Sequence, residues 1–286
     1  SAEIVQEQSL SRFSGTREYS FKHALMREVA YASLAEETLK EMHARAGEWL
    51  AKMAEDDATV ARHFELGGRA HKAAHHLEKA AARALATHAL ADAVSMADKA
   101  LAFADDKPSA FARALILDEA CSRLDARAGE RDSAIRALEE SVFDDASAVR
   151  ARGARVRYED ACGGAHETAG RLDQVRAEAK ALGLFDEEAR DAAALASRHA
   201  FAGDLDQAEA AAADLLALAK ERNIAAAAVD GWQTLAVVRQ ARGDVGQALA
   251  ARQSAAEASR AAGLAAREAP LSINVGFALT TMGARD

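Results

Sequence analysis

The sequence contains few of the residues that interrupt helices or cross-link a chain. Its 286 residues include 2 prolines, 2 cysteines and 5% aromatic residues, and they include no long run of β-branched residues. Proline breaks helices and β-branched residues favour strands, so this scarcity favours helix throughout. Alanine, the strongest helix former, dominates instead. The composition therefore predicts an all-α protein.

The sequence also lacks an excess of positive charge, because its 36 basic residues are outnumbered by 45 acidic ones and the net charge is −9. A negative field repels nucleic-acid phosphates and anionic lipids, so we expect neither nucleic acid nor membrane as a partner. Charged residues interrupt the apolar stretches before they reach a bilayer-spanning length, and residues 1–10 lack the order of a secretion signal. These features predict a cytoplasmic protein.

Two further absences concern cysteine chemistry and nucleotide binding. Cys121 and Cys162 stand far apart without C-x-x-C spacing, which is typical of free thiols in a reducing compartment. No G-x-x-x-x-G-K-[ST] loop is present, and residues 67–69 have neither its spacing nor its lysine. This chain therefore does not cradle nucleotide phosphates by that route, and we expect no cofactor.

A glycine followed by a small or acidic residue recurs along the chain, with an alanine five positions after each glycine. The copies are Gly129-Glu130 with Ala134, Gly164-Ala165 with Ala169, Gly203-Asp204 with Ala208, and Gly243-Asp244 with Ala248, followed by Gly283-Ala284 at the next interval. The glycines recur at intervals of about 35 to about 40 residues, which is in the range of helical-repeat periods. Apolar residues at three- and four-residue steps on both sides predict two antiparallel helices in each interval.

Each turn has three predicted parts. The glycine ends the first helix in a left-handed conformation, which other residues adopt at a steric cost. The carboxylate beside it, at Asp204 and Asp244, caps the second helix. The alanine permits close approach of the two helices. Upstream, residues 77–103 predict a further hairpin that turns near residues 88–91.

One turn is surrounded by residues that match a known repeat. Those residues are Trp232, Leu235, Ala236, Gly243, Ala248 and Ala255. They resemble the tetratricopeptide (TPR) pattern of Trp, Leu, Gly, Ala and Ala, although the period is longer than the usual TPR period. The resemblance implies a right-handed α-α superhelix, a TPR-like solenoid of antiparallel hairpins, over residues 69–286 with the last repeat truncated.

The N-terminal part has a different pattern. Residues 1–16 have few apolar anchors and are expected to form a linker. In residues 17–68, the pattern F-x-H-x-L-x-x-x-x-A-Y-x-x-L is matched by Phe21, His23, Leu25, Ala30, Tyr31 and Leu34. This segment resembles the junction between ATPase and TPR array in bacterial signal-transduction ATPases with numerous domains, including ATPase-linked adenylate cyclases, multidomain Ser/Thr kinases and maltose-activator-like regulators. The resemblance implies an upstream ATPase or effector domain.

The concave side of a TPR-like stack, lined by the first helices of its hairpins, is the expected binding surface. Polar or aromatic residues predicted to face it, counted from the turn glycines, are Glu119, Arg123, Tyr158, Ser197, Gln233 and Gln240. Such side chains suit a peptide or a segment of a folded partner. Ordinary solvated positions remain the alternative for each of them.

Histidines cluster between His63 and His76, with His71 and His75 one helical turn apart. Two such imidazoles can share a metal, but no cysteine or acidic third ligand stands at a fixed spacing. We therefore expect surface or capping roles and no metal site. No nucleophile motif or carboxylate dyad is recognisable, so no catalytic residue is predicted.

These observations favour a non-catalytic, regulatory TPR-like module of a larger cytoplasmic bacterial signalling or transcription-regulatory ATPase. Its expected partners are a protein or peptide and the upstream domain of its own chain. A stand-alone scaffold protein is the first alternative. A metal-dependent hydrolase that uses the His63–His76 cluster is the second.

Overall fold

The chain is a succession of α-helices joined by short turns, as its computed structural model shows. The structure describes residues 4–124, 128–163 and 168–281. Within these residues, two short strands pair antiparallel, β1 (Val5–Glu7) and β2 (Tyr19–Phe21), and β1 lies in the segment expected to be a linker. The other regular elements described are helices. The predicted all-α, TPR-like array is confirmed, with a small β-hairpin added to it.

Two compact units divide the chain, Ser1–Leu117 and Asp118–Asp286. After the β-hairpin, the helices of the first unit are α1 (Ala24–Ala32), α2 (Glu36–Lys52), α3 (Asp57–Leu66), α4 (Ala70–Ala86) and α5 (Leu90–Leu101). Helix α6 (Lys107–Ser122) runs across the division. The second unit continues with α7 (Ala128–Glu140), α8 (Asp145–Ala161), α9 (Thr168–Ala181), α10 (Phe185–Ala202), α11 (Leu205–Arg222), α12 (Ala225–Ala241), α13 (Val245–Ala261) and α14 (Ala265–Thr281).

Helices that follow each other in sequence pack against each other in both units. The contacts run from α2 to α5 in the first unit and from α7 to α14 in the second. In the second unit the hairpins are α8–α9, α10–α11 and α12–α13. Helix α10 also contacts α8 and α12, so the first helices of successive hairpins form a common layer.

The turns of the second unit recur at a constant interval, which is half of the repeat period. In the described residues of this unit, left-handed backbone occurs at Gly163, Gly183, Gly203, Asn223, Gly243 and Gly263. After most of them, the next backbone N–H donates to the carbonyl five residues back, as in Asp204 to His199 at 2.9 Å. This bond closes the helix end in the Schellman manner. Each repeat thus comprises two helices of similar length, each ended by one such turn.

The predicted turns agree with the structure at two glycines and differ at a third. Gly203, directly after α10, has a φ of +84°, and Gly243, two residues after the end of α12, has a φ of +83°, as expected. Gly129 was expected at a turn, but it is the second residue of α7, so this expectation is wrong. The expected turns at 164–165 and 283–284 lie outside the described residues.

The predicted capping by Asp204 and Asp244 is wrong. Both residues precede a helix, but their side chains make no capping hydrogen bond. Their ψ angles, 66° and 67°, follow from the closed turn and differ from the extended backbone that suits a capping side chain. Asp144, with ψ of 175°, has that backbone and accepts from the Ser147 N–H at 2.7 Å.

Small residues allow the helices to approach closely, as the sequence predicts. Ala208 and Ala248, the alanines after the two confirmed turns, are fully buried. At Gly231 of α12, a Cβ atom would lie 2.8 Å from Leu216 Cγ of α11. Between these helices, Leu216 and Trp232 pack on an alanine-rich cluster. The core is therefore thin: small residues let the helix backbones pack close together, and few large side chains lie between them.

Candidate partner-binding cleft

A cleft of about 290 Å³ opens between α10 and α12 in the second unit. Both helices are first helices of their hairpins, so the cleft lies in the layer where binding was expected. Its wall residues are Ala193, Ala194, Ser197, Ala200 and Phe201 from α10, and Asp230, Gln233, Thr234 and Val237 from α12. Steps of three and four residues place each set on one face of its helix.

The middle of the cleft is polar and one end is apolar. The Ser197 hydroxyl and the Gln233 amide have no hydrogen-bond partner within residues 4–124, 128–163 and 168–281. Thr234 is buried, and its hydroxyl donates to the Asp230 carbonyl at 3.1 Å. Towards the C-terminal ends of both helices, Phe201 is 86% exposed and Val237 is 42% exposed. The cleft therefore offers free hydrogen-bonding groups beside an apolar contact surface.

The opposite end of the cleft is charged. Asp230 accepts a hydrogen bond from Nη1 of Arg267 at 2.8 Å. Partial burial raises the pKa of the Asp230 carboxyl, whereas the charges of Arg267 and Arg123 act to lower it. Arg123 binds Glu119, whose other carboxylate oxygen accepts from Arg190 Nη2 at 3.2 Å. Three arginines thus adjoin this end, together with the carboxylates of Glu119 and Asp230 and the buried carboxylate of Glu187, which binds Arg190.

A buried ion pair connects α8 with α10 beside the cleft. Arg157 binds Asp191, which is fully buried, and it also donates to Glu187 at 3.1 Å. Burial raises the pKa of Asp191 to about 6, and nearby Glu187 acts in the same direction against Arg157. Gly153 of α8 makes room for the pair, since a Cβ there would lie 2.9 Å from Arg157 Nη1.

Four of the six predicted binding residues lie at or beside this cleft. Ser197 lies on its α10 wall and Gln233 on its α12 wall. Glu119 and Arg123 form an ion pair near the Asp230 end. Their role in binding a partner stays a prediction.

The other two predicted residues lie apart from the cleft. Arg131 of α7 lies over the Tyr158 ring at 5.5 Å from its centroid, and a hydrogen bond with Cys162 raises the pKa of the Tyr158 hydroxyl. The Gln240 amide oxygen accepts from Nη1 of Arg252 on α13 at 3.4 Å. The structure therefore places neither of them with Ser197 and Gln233.

Several residues of the cleft were not predicted, although the sequence contains a signal for two of them. Val237 lies one repeat period after Ser197, and Asp230 lies one repeat period after Arg190. If the repeat period had been applied to side chains as well as to the turn glycines, the two residues of each pair would have been predicted on the same face of successive first helices. Phe201 has no such counterpart, because residue 241 is an alanine.

The histidines predicted as a cluster bind different partners in the first unit. Nδ1 of His71 lies 2.6 Å from Oδ1 of Asp105. Nδ1 of His76 lies 2.7 Å from Oδ1 of Asp57, and its ring stacks on Phe64 with centroids 5.6 Å apart. These imidazoles therefore serve separate local contacts.

His63 pairs with His43 through their Nδ1 atoms, 3.0 Å apart, and His43 also bonds the Tyr31 hydroxyl. Burial lowers the pKa of His63, with the neighbouring positive charge of Arg62 adding to the effect. Within the described ranges, no group of three or more His, Cys, Asp or Glu residues is arranged to hold a metal ion.

A second cavity, of about 390 Å³, lies in the first unit. Its wall residues are Ala58, Arg62, Glu65, Leu66, Leu77, Asp92, Ser95, Met96 and Lys99. Lys99 Nζ lies 3.9 Å from Oε1 of Glu65 across it. None of the six predicted binding residues belongs to this cavity.

Comparison with known proteins gives similarity at the level of the fold. No protein-family model matches the sequence, and no curated protein sequence matches it significantly. A solved structure, a Rap protein complexed with competence and sporulation factor, matches with a TM-score of 0.50 and 12% sequence identity. The match covers 91% of this chain and 80% of the Rap chain. At this identity the likeness establishes a shared helical-repeat fold.

Among the described residues, no helix is both long enough and apolar enough to cross a membrane.

Proposed function

We propose that this chain is a non-catalytic interaction and regulatory module whose cleft between α10 and α12 binds a protein or peptide partner. One observation carries this proposal: the cleft combines hydrogen-bonding groups that have no partner in the described residues with exposed apolar side chains. The former are the Ser197 hydroxyl and the Gln233 amide, and the latter are Phe201 and Val237. An extended polypeptide supplies matching backbone hydrogen bonds and side chains. Asp230, the titratable residue of the cleft wall, is held by Arg267, which favours binding over acid–base chemistry.

The solved structure with a similar fold supports a binding role. That Rap protein is complexed with competence and sporulation factor. The helical-repeat fold therefore accommodates a bound factor in at least one protein, and a cleft between helices is a common place for it. Where a partner binds on this chain is part of the proposal, and this position is inferred from the cleft itself.

The proposal extends to a larger bacterial signalling protein with an upstream ATPase. Its support is the match of residues 17–68 to the junction of signal-transduction ATPases, followed by repeats over residues 69–286. Helix α1 adds to this support, because it has no buried residue and its Leu25 is 70% exposed. Exposed apolar surface suits contact with another domain.

The proposed mechanism is a shift in population. A partner bound between α10 and α12 stabilises one packing of the helices, and the upstream domain is more active or less active in that packing. The net charge of −9 favours a protein partner over nucleic acid or membrane. Cys121 and Cys162 form no disulfide, which suits a cytoplasmic location.

Nucleotide turnover of the full-length parent protein tests the regulatory role. We expect deletion of residues 17–286 to change turnover, and Gln233→Trp, which fills the cleft, to reproduce part of that change. Gln247→Trp, at an exposed position of the second helix α13, is the matched control and should leave turnover unchanged. Turnover that is unaffected by the deletion contradicts the regulatory role. A parent without any NTPase, kinase or cyclase domain favours the stand-alone scaffold instead.

A further inference from the structure

We propose that the cleft between α10 and α12 selects an acidic peptide segment, with its carboxylate at the Asp230 end and an apolar side chain on Phe201 and Val237. This inference rests on the proposed function, because it assumes that the cleft binds a polypeptide. It adds the chemistry of the ligand and its direction in the cleft.

Accessible arginines at the Asp230 end supply the positive charge. The side chains of Arg123, Arg190 and Arg267 are 34%, 43% and 35% exposed. A guanidinium carries five N–H donors in a planar fork, so an arginine that binds one carboxylate keeps donors for another. A chain with a net charge of −9 has concentrated three such groups at one end of a cleft.

The carboxylates at this end do not occupy all the N–H donors of these arginines. Glu119 and Asp230 are the accessible ones, and each is about one-third exposed. Arg190 also binds Glu187 at 3.0 Å, but Glu187 is buried and is shared with Arg157. A ligand that approaches from solvent therefore meets three accessible arginine side chains and two accessible carboxylates.

The dimensions of the cleft set the spacing of the recognised groups. The α10 wall runs from Ala193 to Phe201, which is about 12 Å at the helical rise of about 1.5 Å per residue. An extended peptide rises about 3.3 Å per residue, so about four residues cover this length. The acidic and apolar residues of the ligand should therefore stand three or four positions apart.

A basic segment fits this cleft less well. Its cation would lie beside Arg123, Arg190 and Arg267, and it would have to compete with them for Glu119 and Asp230. Like charges brought together in this way disfavour the wrong partner. Charge complementarity therefore favours the acidic ligand, whose carboxylate comes from an Asp or Glu side chain or from a peptide C-terminus.

Selection from a displayed library of random heptapeptides against the whole chain tests the inference. We expect enriched sequences to carry Asp or Glu three or four positions from Phe, Leu, Ile or Val. In synthetic copies, replacement of the acidic residue by its amide should weaken affinity by about three- to tenfold, as expected for one partly exposed charge-assisted hydrogen bond. Comparing free and amidated C-termini distinguishes the two sources of the carboxylate.

Variants of the protein assign the effect to the arginines. Arg190→Gln and Arg267→Gln should each reduce the preference for the acid over its amide, whereas Arg171→Gln, an exposed ion-paired arginine of α9, should keep it. Glu119→Gln releases donors of Arg123 and Arg190 and should strengthen binding of the acidic peptide. This gain keeps the test decisive if Arg190→Gln fails to fold.

The outcomes separate the inference from the proposed function. Enriched peptides without an acidic preference, or with a basic one, overturn the inference and leave the cleft as a peptide site, provided that Gln233→Trp blocks them. If no peptide is enriched, or if Gln233→Trp blocks none, both the inference and the proposed site are overturned.

Discussion

Asp191 of α10 is fully buried against Arg157 of α8, and this ion pair joins two successive hairpins beside the cleft. The Oδ2 atom of Asp191 has no hydrogen-bond partner in the described part of the chain. Burial away from water makes ionisation of this carboxyl group unfavourable, which accounts for its raised pKa of about 6. The connection between these hairpins should therefore depend on pH.

We expect Asp191→Asn to remove a pH dependence from stability. The pKa of Asp191 rises from 3.8 to about 6 on folding, so the folded state binds this proton more tightly than the unfolded chain does. Its contribution is most favourable below about pH 4 and is lost as pH rises through about 6. Relative to Asp191→Asn, the wild-type free energy of unfolding should fall by about 2–3 kcal/mol between about pH 4 and pH 7.5 in urea titrations. A constant difference between the two proteins contradicts this account.

Gly153→Ala should destabilise the second unit. The added Cβ would lie 2.9 Å from Arg157 Nη1 and 3.4 Å from Oδ1 of Asp191, so the buried pair must shift. We expect a loss of about 1–3 kcal/mol in the free energy of unfolding, measured by chemical denaturation. Gly246→Ala is the control, because a Cβ there meets nothing within 4 Å in α13 and should be neutral or stabilising. Equal effects of the two substitutions would refute the steric explanation.

Gly203→Ala and Gly129→Ala should have opposite effects, although the sequence pattern assigns both glycines to turns. Gly203 has φ of +84°, where an alanine is strained by about 1–2 kcal/mol. Gly129 lies within α7 with open space around it, so alanine should stabilise that helix by up to about 1 kcal/mol. Thermal unfolding of both variants checks this, and destabilisation by Gly129→Ala would restore the turn at that position.

Asp144→Ala should cost stability where Asp204→Ala does not. Asp144 forms a capping box with Ser147 at the start of α8, whereas Asp204 makes no capping hydrogen bond. Loss of such a cap typically costs about 1 kcal/mol. Chemical denaturation of the two variants gives the comparison, and similar losses would show that the Asp204 carboxylate does cap α11.

Much of the fold follows from local features of the sequence. Gly203 and Gly243 mark their turns because a left-handed helix end favours glycine. The alternate turns at Gly183 and Gly263 were missed because each is followed by a leucine, and at position 223 an asparagine takes the left-handed conformation. Gly129 was misassigned, since a Gly-Glu pair also occurs inside the first turn of a helix.

The site was harder to predict than the fold. Ser197 and Gln233 could be placed on one layer from the repeat register, because equivalent positions of successive first helices face the same side. The orientations of Tyr158 and Gln240 depend on Arg131 and Arg252, which approach from neighbouring helices. Such contacts are set by tertiary packing, so they cannot be predicted from the repeat period alone.

Backbone hydrogen exchange of the whole chain, with and without a library-selected peptide, tests the central claim most directly. The claim is that a partner binds between the first helices of successive hairpins. We expect added protection concentrated in residues 193–201 and 230–237, with little change in α11 and α13. Protection confined to α11 and α13, or to the first unit, would contradict it.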